Sequence, residues 1–461
     1  MAKPRVVVIG GGAAGMATAS RAKRLNPSLD VTVFERSRWV SFAFCGVPYY
    51  VGCVVKRLSD LLYYPLEEFT VKRGIDVRLE TRVVDVDVGE KKVYYRDAKG
   101  REGEVGWDIL VLATGARSKA PKIWPELAGA RNAFYIEHLH SGVEMREYAL
   151  SLPRGSHAVI VGAGYVGLEM AENLANIGLK VTIVEALSQV APRTLDPDLA
   201  SLVEEELSSN GVRVVKNAPV VGFRVSDGVV KAVDTEAGRI EGDMFIVGVG
   251  IEPNTDIASR IGARIGETGA IWVDERMRTS IEDVYAVGDA VETRDILTGR
   301  PVWRPFAQVS NKMGYVAGTV IGGRDAVFRG SVGTSTFKVF DMVVARTGWS
   351  SSEAEKLGFD PIEVSLRGAT RAHYIPGGTR INLKLVADRE TGMLLGAQAV
   401  GRSETVLWRI NVIASLLTMK ATVWDLYHSD IGYAPPLAPV WDPLIVAARL
   451  LMRELGEAPK R

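Results

Sequence analysis

The chain reads as an α/β protein. It has two Rossmann-like nucleotide-binding domains of three layers each, followed by a C-terminal α+β domain. Three observations carry that reading. A glycine-rich turn between apolar strands occurs twice, each copy reaches an acidic residue after its second strand, and the last third of the chain abandons the pattern.

The first copy is RVVVIGGGAAGMATASRAKRLNPSLDVTVFE, from Arg5 to Glu35. An apolar run long enough for one buried strand precedes the glycines, an amphipathic stretch follows, and a second apolar run ends at Glu35. The second copy is HAVIVGAGYVGLEMAENLANIGLKVTIVE, from His157 to Glu185. A later echo joins them: WDILVLATGA (Trp107 to Ala116) and GDMFIVGVGI (Gly242 to Ile251) both read as strands leaving through a glycine turn. A further motif, VYAVGDA (Val284 to Ala290), resumes the first design after the second has closed, so the second unit is inserted in the first. The expected division is 1–118 and 253–325 for an FAD-binding domain, 119–252 for an NAD(P)H-binding domain, and 330–461 for the C-terminal domain. In that last domain TFKVFDMVVARTG and INLKLVADRETGMLLGAQAVG predict strands, and VLWRINVIASLLTM predicts a helix. The tail after Arg453 is expected to fray.

A chain of 461 residues exceeds one hydrophobic core. Its 56 basic and 55 acidic residues leave a formal charge of +1, which provides no broad footprint for nucleic acid or an anionic membrane. No apolar run approaches the roughly 20 residues that span a bilayer, and no signal-peptide pattern opens the sequence. Two cysteines exclude a disulfide scaffold and point to a reducing cytoplasm. Five scattered histidines and no CxxC leave no metal site.

Gly10, Gly12 and Gly15 supply the tight turn, the close approach of backbone to a pyrophosphate, and close helix–strand packing, while Glu35 can accept ribose hydroxyls. Gly162, Gly164 and Gly167 repeat these roles with Glu185. A carboxylate there repels a 2′-phosphate and favours NADH over NADPH, with Arg193 nearby to soften the preference. If the second helix starts at Gly164, Tyr165 and Glu169 share a face. Tyr165 could then cover the flavin until nicotinamide displaces it, and Glu169 could contact the nicotinamide ribose or amide. Ala113, Thr114 and Gly115 in ATGA, and Gly288 and Asp289 in VGDA, fall where strands end at the ligand crevice, with Asp289 expected on the flavin ribitol. Ala13, Ala14, Arg36, Ser41 and Val83 complete the first cofactor site; Val166 and Gly250 complete the second.

Cys45 lies in SFAFCGVPYY. A second cysteine five positions on would make a dithiol pair, but Tyr50 stands there, so chemistry through one sulfur is expected. A helix start at GVPYY is expected to lower the thiol pKa. Cys53 is a bystander: eight helical residues are about 12 Å, beyond the roughly 7 Å that a disulfide allows.

SFAFCGVPYY after GGGAAG, then GAGYVGLEMAE, VYAVGDA and YAPPLAPVWDP resemble the single-cysteine pyridine nucleotide–disulfide oxidoreductases, and within them the coenzyme A-disulfide reductase branch. The resemblance spans essentially the whole chain. It implies an NAD(P)H-dependent flavoprotein disulfide reductase, homodimeric, with each active site completed by the partner's C-terminal domain. It further implies that Cys45 forms a mixed disulfide with coenzyme A, and that Tyr433 and Tyr374 reach the thiol across the dimer. Arg24, Ser41 and Arg73 occupy positions resembling contacts to coenzyme A, and Lys72 is a neighbouring candidate. Phe44 and Ile375 depart from the family pattern beside the site. The sister NADH oxidases and peroxidases usually carry a histidine where this chain has Ala13, an absence that argues against peroxide chemistry. Coenzyme A persulfide or polysulfide would suit the same site, although no sulfurtransferase-type domain, fused in some members, is recognisable.

Overall fold

The computed structural model describes residues 3–136 and 138–457. Its first sheet has five strands in the order Val284–Ala286, Ile109–Leu112, Arg5–Ile9, Asp30–Phe34 and Asp76–Arg78, every pairing parallel. Parallel strands covered on both faces must be apolar throughout, and Val6, Val7 and Val8 are fully buried. The second sheet repeats the plan: Arg213–Val215, Lys180–Val184, His157–Val161, Met244–Val247 and Ala133–Phe134, again all parallel.

The duplication runs further than the strand–helix–strand units. Before its returning strand, each unit inserts a three-stranded antiparallel meander: Thr81–Asp87, Lys92–Asp97 and Glu102–Gly106 in the first, Val220–Ser226, Val229–Thr235 and Gly238–Glu241 in the second. The chain leaves the first unit and returns to it along one antiparallel pair, Ala116–Ser118 against Ile251–Pro253. Arg117 ties that pair together through Glu252 at 2.8 Å and through Asp256.

The helix Ala307–Ile321 then packs on the helix Ala13–Leu25. The crossing is close because Gly314 and Gly318 lack side chains. A Cβ on Gly314 would lie 2.4 Å from the Ala14 carbonyl oxygen, and one on Gly318 2.5 Å from that of Thr18.

The C-terminal domain is a five-stranded antiparallel sheet in the order Ser335–Val339, Met342–Gly348, Leu394–Gly401, Arg380–Asp388 and Pro361–Ala369, backed by the helices Thr405–Thr418 and Pro443–Leu455. Polar links fasten it to the second unit. Lys384, almost fully buried, reaches Asp196 at 3.1 Å and Asp198 at 2.8 Å, and Arg402 pairs with Glu206. The Tyr165 hydroxyl donates to Ser335 Oγ at 2.9 Å. The last helix runs past Arg453 to Leu455, and the end of the expected frayed tail lies outside the described residues. Among the described residues no helix is long and apolar enough to cross a membrane.

Candidate functional site

One crevice of about 3590 Å³ runs between the two nucleotide units and reaches the C-terminal domain. Pockets for one small ligand measure about 300–1,000 Å³, so this space accommodates several ligands in line. The first glycine loop forms part of its wall. Gly10 has φ +111°, and a Cβ there would lie 2.2 Å from the Ala113 carbonyl oxygen. A Cβ on Gly15 would lie 1.9 Å from the Gly10 carbonyl oxygen, whereas one on Gly12 would meet nothing within 4 Å. Two glycines are therefore required by packing and the middle one faces open space, the cradle a pyrophosphate needs. Buried Glu35 accepts from the Gly11 and Ser37 amides, both at 2.8 Å, and lines the crevice.

The second loop copies the first. A Cβ on Gly167 would lie 2.0 Å from the Gly162 carbonyl oxygen, and Gly164 again faces open space. Glu185 accepts from Ala163 at 2.8 Å and Leu187 at 2.9 Å. The residues present thus fit a dinucleotide at each loop. Ala13, Ala14, Arg36, Ser41, Val83, Ala113, Thr114 and Gly115 line the crevice around the first, and Tyr165, Val166, Glu169 and Gly250 around the second.

Gly288 and Asp289 close the first site from the strand Val284–Ala286. Asp289 accepts a hydrogen bond from Ser310 on the helix Ala307–Ile321, and burial holds its carboxyl above the usual range. Thr114 and Asn254 exchange two hydrogen bonds, 2.7 Å to the Asn254 carbonyl and 2.8 Å to that of Thr114.

Cys45 opens onto the same crevice, in the short turn Phe44–Gly46 that leads into the helix Val47–Val51. The expected fall in its pKa is not found. The crevice walls desolvate the thiol, and the negative charges of Glu169 and Asp289 add to that, so the pKa is raised. The one influence that lowers it, a backbone hydrogen bond, is the weakest of the four. Glu169 sits deep in this surround: burial pushes its carboxyl up to about 7, although Tyr49 donates to Oε1 at 3.4 Å. Burial first, then the charge of Glu169, pushes the Tyr49 phenol up. Cys53 lies beyond the end of the helix, at φ +64°, and both thiols are free.

The other candidates divide. Arg24, Ser41 and Arg73 line the crevice. Arg73 is held by Ser20 at 2.7 Å and Glu68 at 3.1 Å, and lies over the Tyr64 and Phe69 rings. Lys72 does not line it; its ammonium turns to Glu68 at 2.8 Å on the surface. Tyr374 and Tyr433 are exposed and joined hydroxyl to hydroxyl at 3.3 Å, outside the crevice of their own chain.

Sequence reasoning missed Tyr49, Ser310 and Asn254. It also missed His138, whose Nε2 meets Arg36 Nη2 at 2.5 Å from the other nucleotide unit. Burial, then the charge of Arg36, lowers the His138 pKa to about 4. Only Tyr49 had a sequence signal, as it lies one helical turn beyond Cys45. No group of three or more potential metal ligands occurs among the described residues.

Residues 4–314 match the family described as pyridine nucleotide-disulphide oxidoreductase, and residues 334–444 match its dimerisation domain. The chain is 44% identical over 449 residues to "NAD(P)H sulfur oxidoreductase (CoA-dependent)" of Pyrococcus abyssi, covering 97% of this chain and 98% of that one. It is 34% identical to "NADH oxidase" of Methanocaldococcus jannaschii, covering 98% and 99%, and 28% identical to "Coenzyme A disulfide reductase" of Staphylococcus aureus strain bovine RF122 / ET3-1, covering 94% and 96%. Among solved structures, an NAD-dependent persulfide reductase from A. fulgidus superposes with a TM-score of 0.93 at 38% identity, over 98% of this chain and 83% of that one. Duplicated glycine loops on one crevice, a free thiol in its wall and these matches along nearly the whole chain agree: it belongs to the pyridine nucleotide-disulphide oxidoreductases.

Proposed function

We propose that this enzyme reduces coenzyme A-linked disulfides, and the related persulfides or polysulfides, with electrons from NAD(P)H and through the single thiol of Cys45. The observation that carries the reading is Cys45, a free thiol open to a crevice that also holds both glycine loops. The coenzyme A-dependent Pyrococcus relative and the persulfide reductase structure support the substrate class. FAD, when bound, supplies the acceptor that turns a hydride from nicotinamide into an electron pair for sulfur. The first loop with Glu35 and Asp289 holds it; the second loop with Glu185 holds the pyridine nucleotide. The domains divide as 1–118 with 253–325, 119–252, and 330–461.

The Cys45 thiolate attacks one sulfur of the substrate disulfide, forms a mixed disulfide and displaces a thiolate. Because the crevice raises the thiol pKa, Cys45 must lose its proton to a group in the crevice before it attacks. Arg24, Ser41 and Arg73 receive the phosphorylated end of coenzyme A, whereas Lys72 is turned away to Glu68 on the surface. Tyr433 of a second copy protonates or holds the leaving thiolate, with Tyr374 joined to it hydroxyl to hydroxyl.

Cys45→Ser tests the reading. Turnover of coenzyme A disulfide should fall to background while the flavin spectrum stays; disulfide reduction persisting in the variant would refute the single-thiol route. Intact mass without reductant should show an adduct of about 765 Da on the Cys45 peptide, coenzyme A less two hydrogens. The relative named NADH oxidase motivates a second reading, reduction of oxygen. Against it, Ala13 stands in the first loop where the sister oxidases usually carry a histidine, and oxygen turnover above that with coenzyme A disulfide would favour the oxidase.

A further inference from the structure

Cys45 belongs to the first nucleotide unit by sequence and to the second by packing. The excursion that carries it leaves the first glycine loop at Ser41, whose amide donates to the Gly11 carbonyl at 3.0 Å. It closes where Phe42 bridges Leu62. Between those points Val47, Val51 and Leu61 are buried in one core with Leu139, Met145 and Leu168 of the second unit. The helix Val47–Val51 is thus held between two helices of that unit, Leu139–Ser151 and Tyr165–Asn176. Both contacts are close. A Cβ on Gly142 would lie 2.8 Å from Val47 Cγ1, and one on Gly52 2.2 Å from Asn173 Oδ1.

Apolar packing is non-directional, so the register of the Cys45 helix needs a polar fixing point. Arg146 supplies it, one turn beyond Gly142 on the helix Leu139–Ser151. Its Nη1 donates to the Tyr50 carbonyl at 2.8 Å and to the Val55 carbonyl at 3.0 Å. Its guanidinium also lies over the Tyr50 ring, 4.3 Å from the centroid. The last carbonyls of a helix have no intrahelical amide to accept from, and Tyr50 stands in the last turn of the Cys45 helix. One guanidinium therefore holds both the end of that helix and the chain that leaves it. Another polar link across the same boundary, Tyr49 to Glu169, is longer at 3.4 Å.

We propose that Arg146 is a positioning residue for Cys45: from the second unit it fixes the end of the helix that follows the thiol, and so sets where the thiol stands in the crevice. The inference rests on the reading that Cys45 carries the reaction.

Arg146→Met keeps the length of the side chain and removes the guanidinium. In the FAD-loaded, full-length variant, kcat with coenzyme A disulfide should fall about ten-fold or more while KM stays within about two-fold, since a displaced nucleophile costs reaction and not binding. Arg146→Lys, which keeps the charge and loses the fork, should recover part of the loss. Alkylation of the Cys45 peptide by iodoacetamide, followed by mass against pH, reads the thiol without any disulfide. The charges acting on that thiol are those of Glu169 and Asp289, with Tyr49 on its own helix. Loss of the Arg146 charge alone would move the alkylation midpoint up, whereas a loosened helix lets water reach the thiol and should move it down by about half a pH unit or more. An unmoved or raised midpoint in Arg146→Met would overturn the proposal, as would a kcat equal to the parent's at equal FAD content. So would slower reduction of the flavin by NADH, because Arg146 would then support the second unit as a whole. The alkylation arm holds whatever the electron acceptor is; disulfide reduction surviving in Cys45→Ser would strike only the shared premise.

Discussion

The two glycine loops are nearly the same object, and the side chains around them are not. In both, the third glycine lies where a Cβ would strike the carbonyl oxygen of the first, at 1.9 Å for Gly15 and 2.0 Å for Gly167. In both, a buried glutamate closes on the amide of the loop's second residue. The helices that follow diverge at once. Where the second carries Tyr165 and Glu169, the first carries Ala13 and Ala17. The backbone constellation that suits a dinucleotide is thus copied, and the copies become different sites through the first helical turn. The smaller side chains lie beside the proposed flavin loop; the larger, titratable ones lie where substrate and nicotinamide would meet.

Breaking the shared part should give the largest effects. Gly15→Ala and Gly167→Ala each force a methyl group onto backbone that cannot move aside, and each should destabilise its own unit by about 1–3 kcal/mol. Their consequences should separate. Gly15→Ala should strip the flavin, seen as loss of visible absorbance. Gly167→Ala should retain the flavin and weaken pyridine nucleotide binding. If Gly167→Ala also loses its flavin, the loops are not independent sites.

Glu169 sharpens the difference between the copies, because Ala17 has no charge to bury. An unfolded glutamate titrates near about 4.3, and Glu169 in the fold near about 7. Between those values the folded protein binds the extra proton, so this group's contribution to stability falls as the pH rises. Glu169→Gln should remove that slope. In urea unfolding, the parent should lose up to about 3 kcal/mol relative to the variant between pH 4 and 8. A parallel pair of curves would mean that water or Tyr49 solvates the carboxylate better than its burial suggests.

The parts legible in the sequence were those governed by neighbours in the chain. Gly10 and Gly162 announce their positive φ, and the strands reaching Glu35 and Glu185 are uninterrupted apolar runs, so both sheets and the insertion could be read directly. The paired meanders were not. Their strands mix buried and exposed residues, as in Thr81–Asp87, and resemble ordinary surface ribbon until the partners are known. The Cys45 environment was illegible for the same reason. Its helix start is local, but Glu169 and Asp289 come from distant segments, and they act with desolvation to reverse the expected shift. Lys72 and Arg73 show the limit at single-residue scale. Adjacent and equally basic, one turns to the surface and the other to Ser20 beside the crevice.

The smallest effect concerns what holds Tyr165 in place. Ala13 needs no tether, but the Tyr165 ring lies edge-on to Phe337, 5.3 Å between centroids, and its hydroxyl donates to Ser335. Both partners belong to the first strand of this chain's own C-terminal sheet, so a residue proposed to cover the flavin is anchored to the C-terminal domain. Ser335→Ala removes only the hydrogen bond and leaves the ring contact. It should cost about 0.5–1.5 kcal/mol in urea unfolding. It should also raise the rate at which NADH reduces the flavin in stopped-flow traces, since the phenol must leave Ser335 before the ring can swing. A slower or unchanged rate would mean that the bond to Ser335 already holds the ring aside for nicotinamide, making Tyr165 a fixed wall of the second site and not its gate.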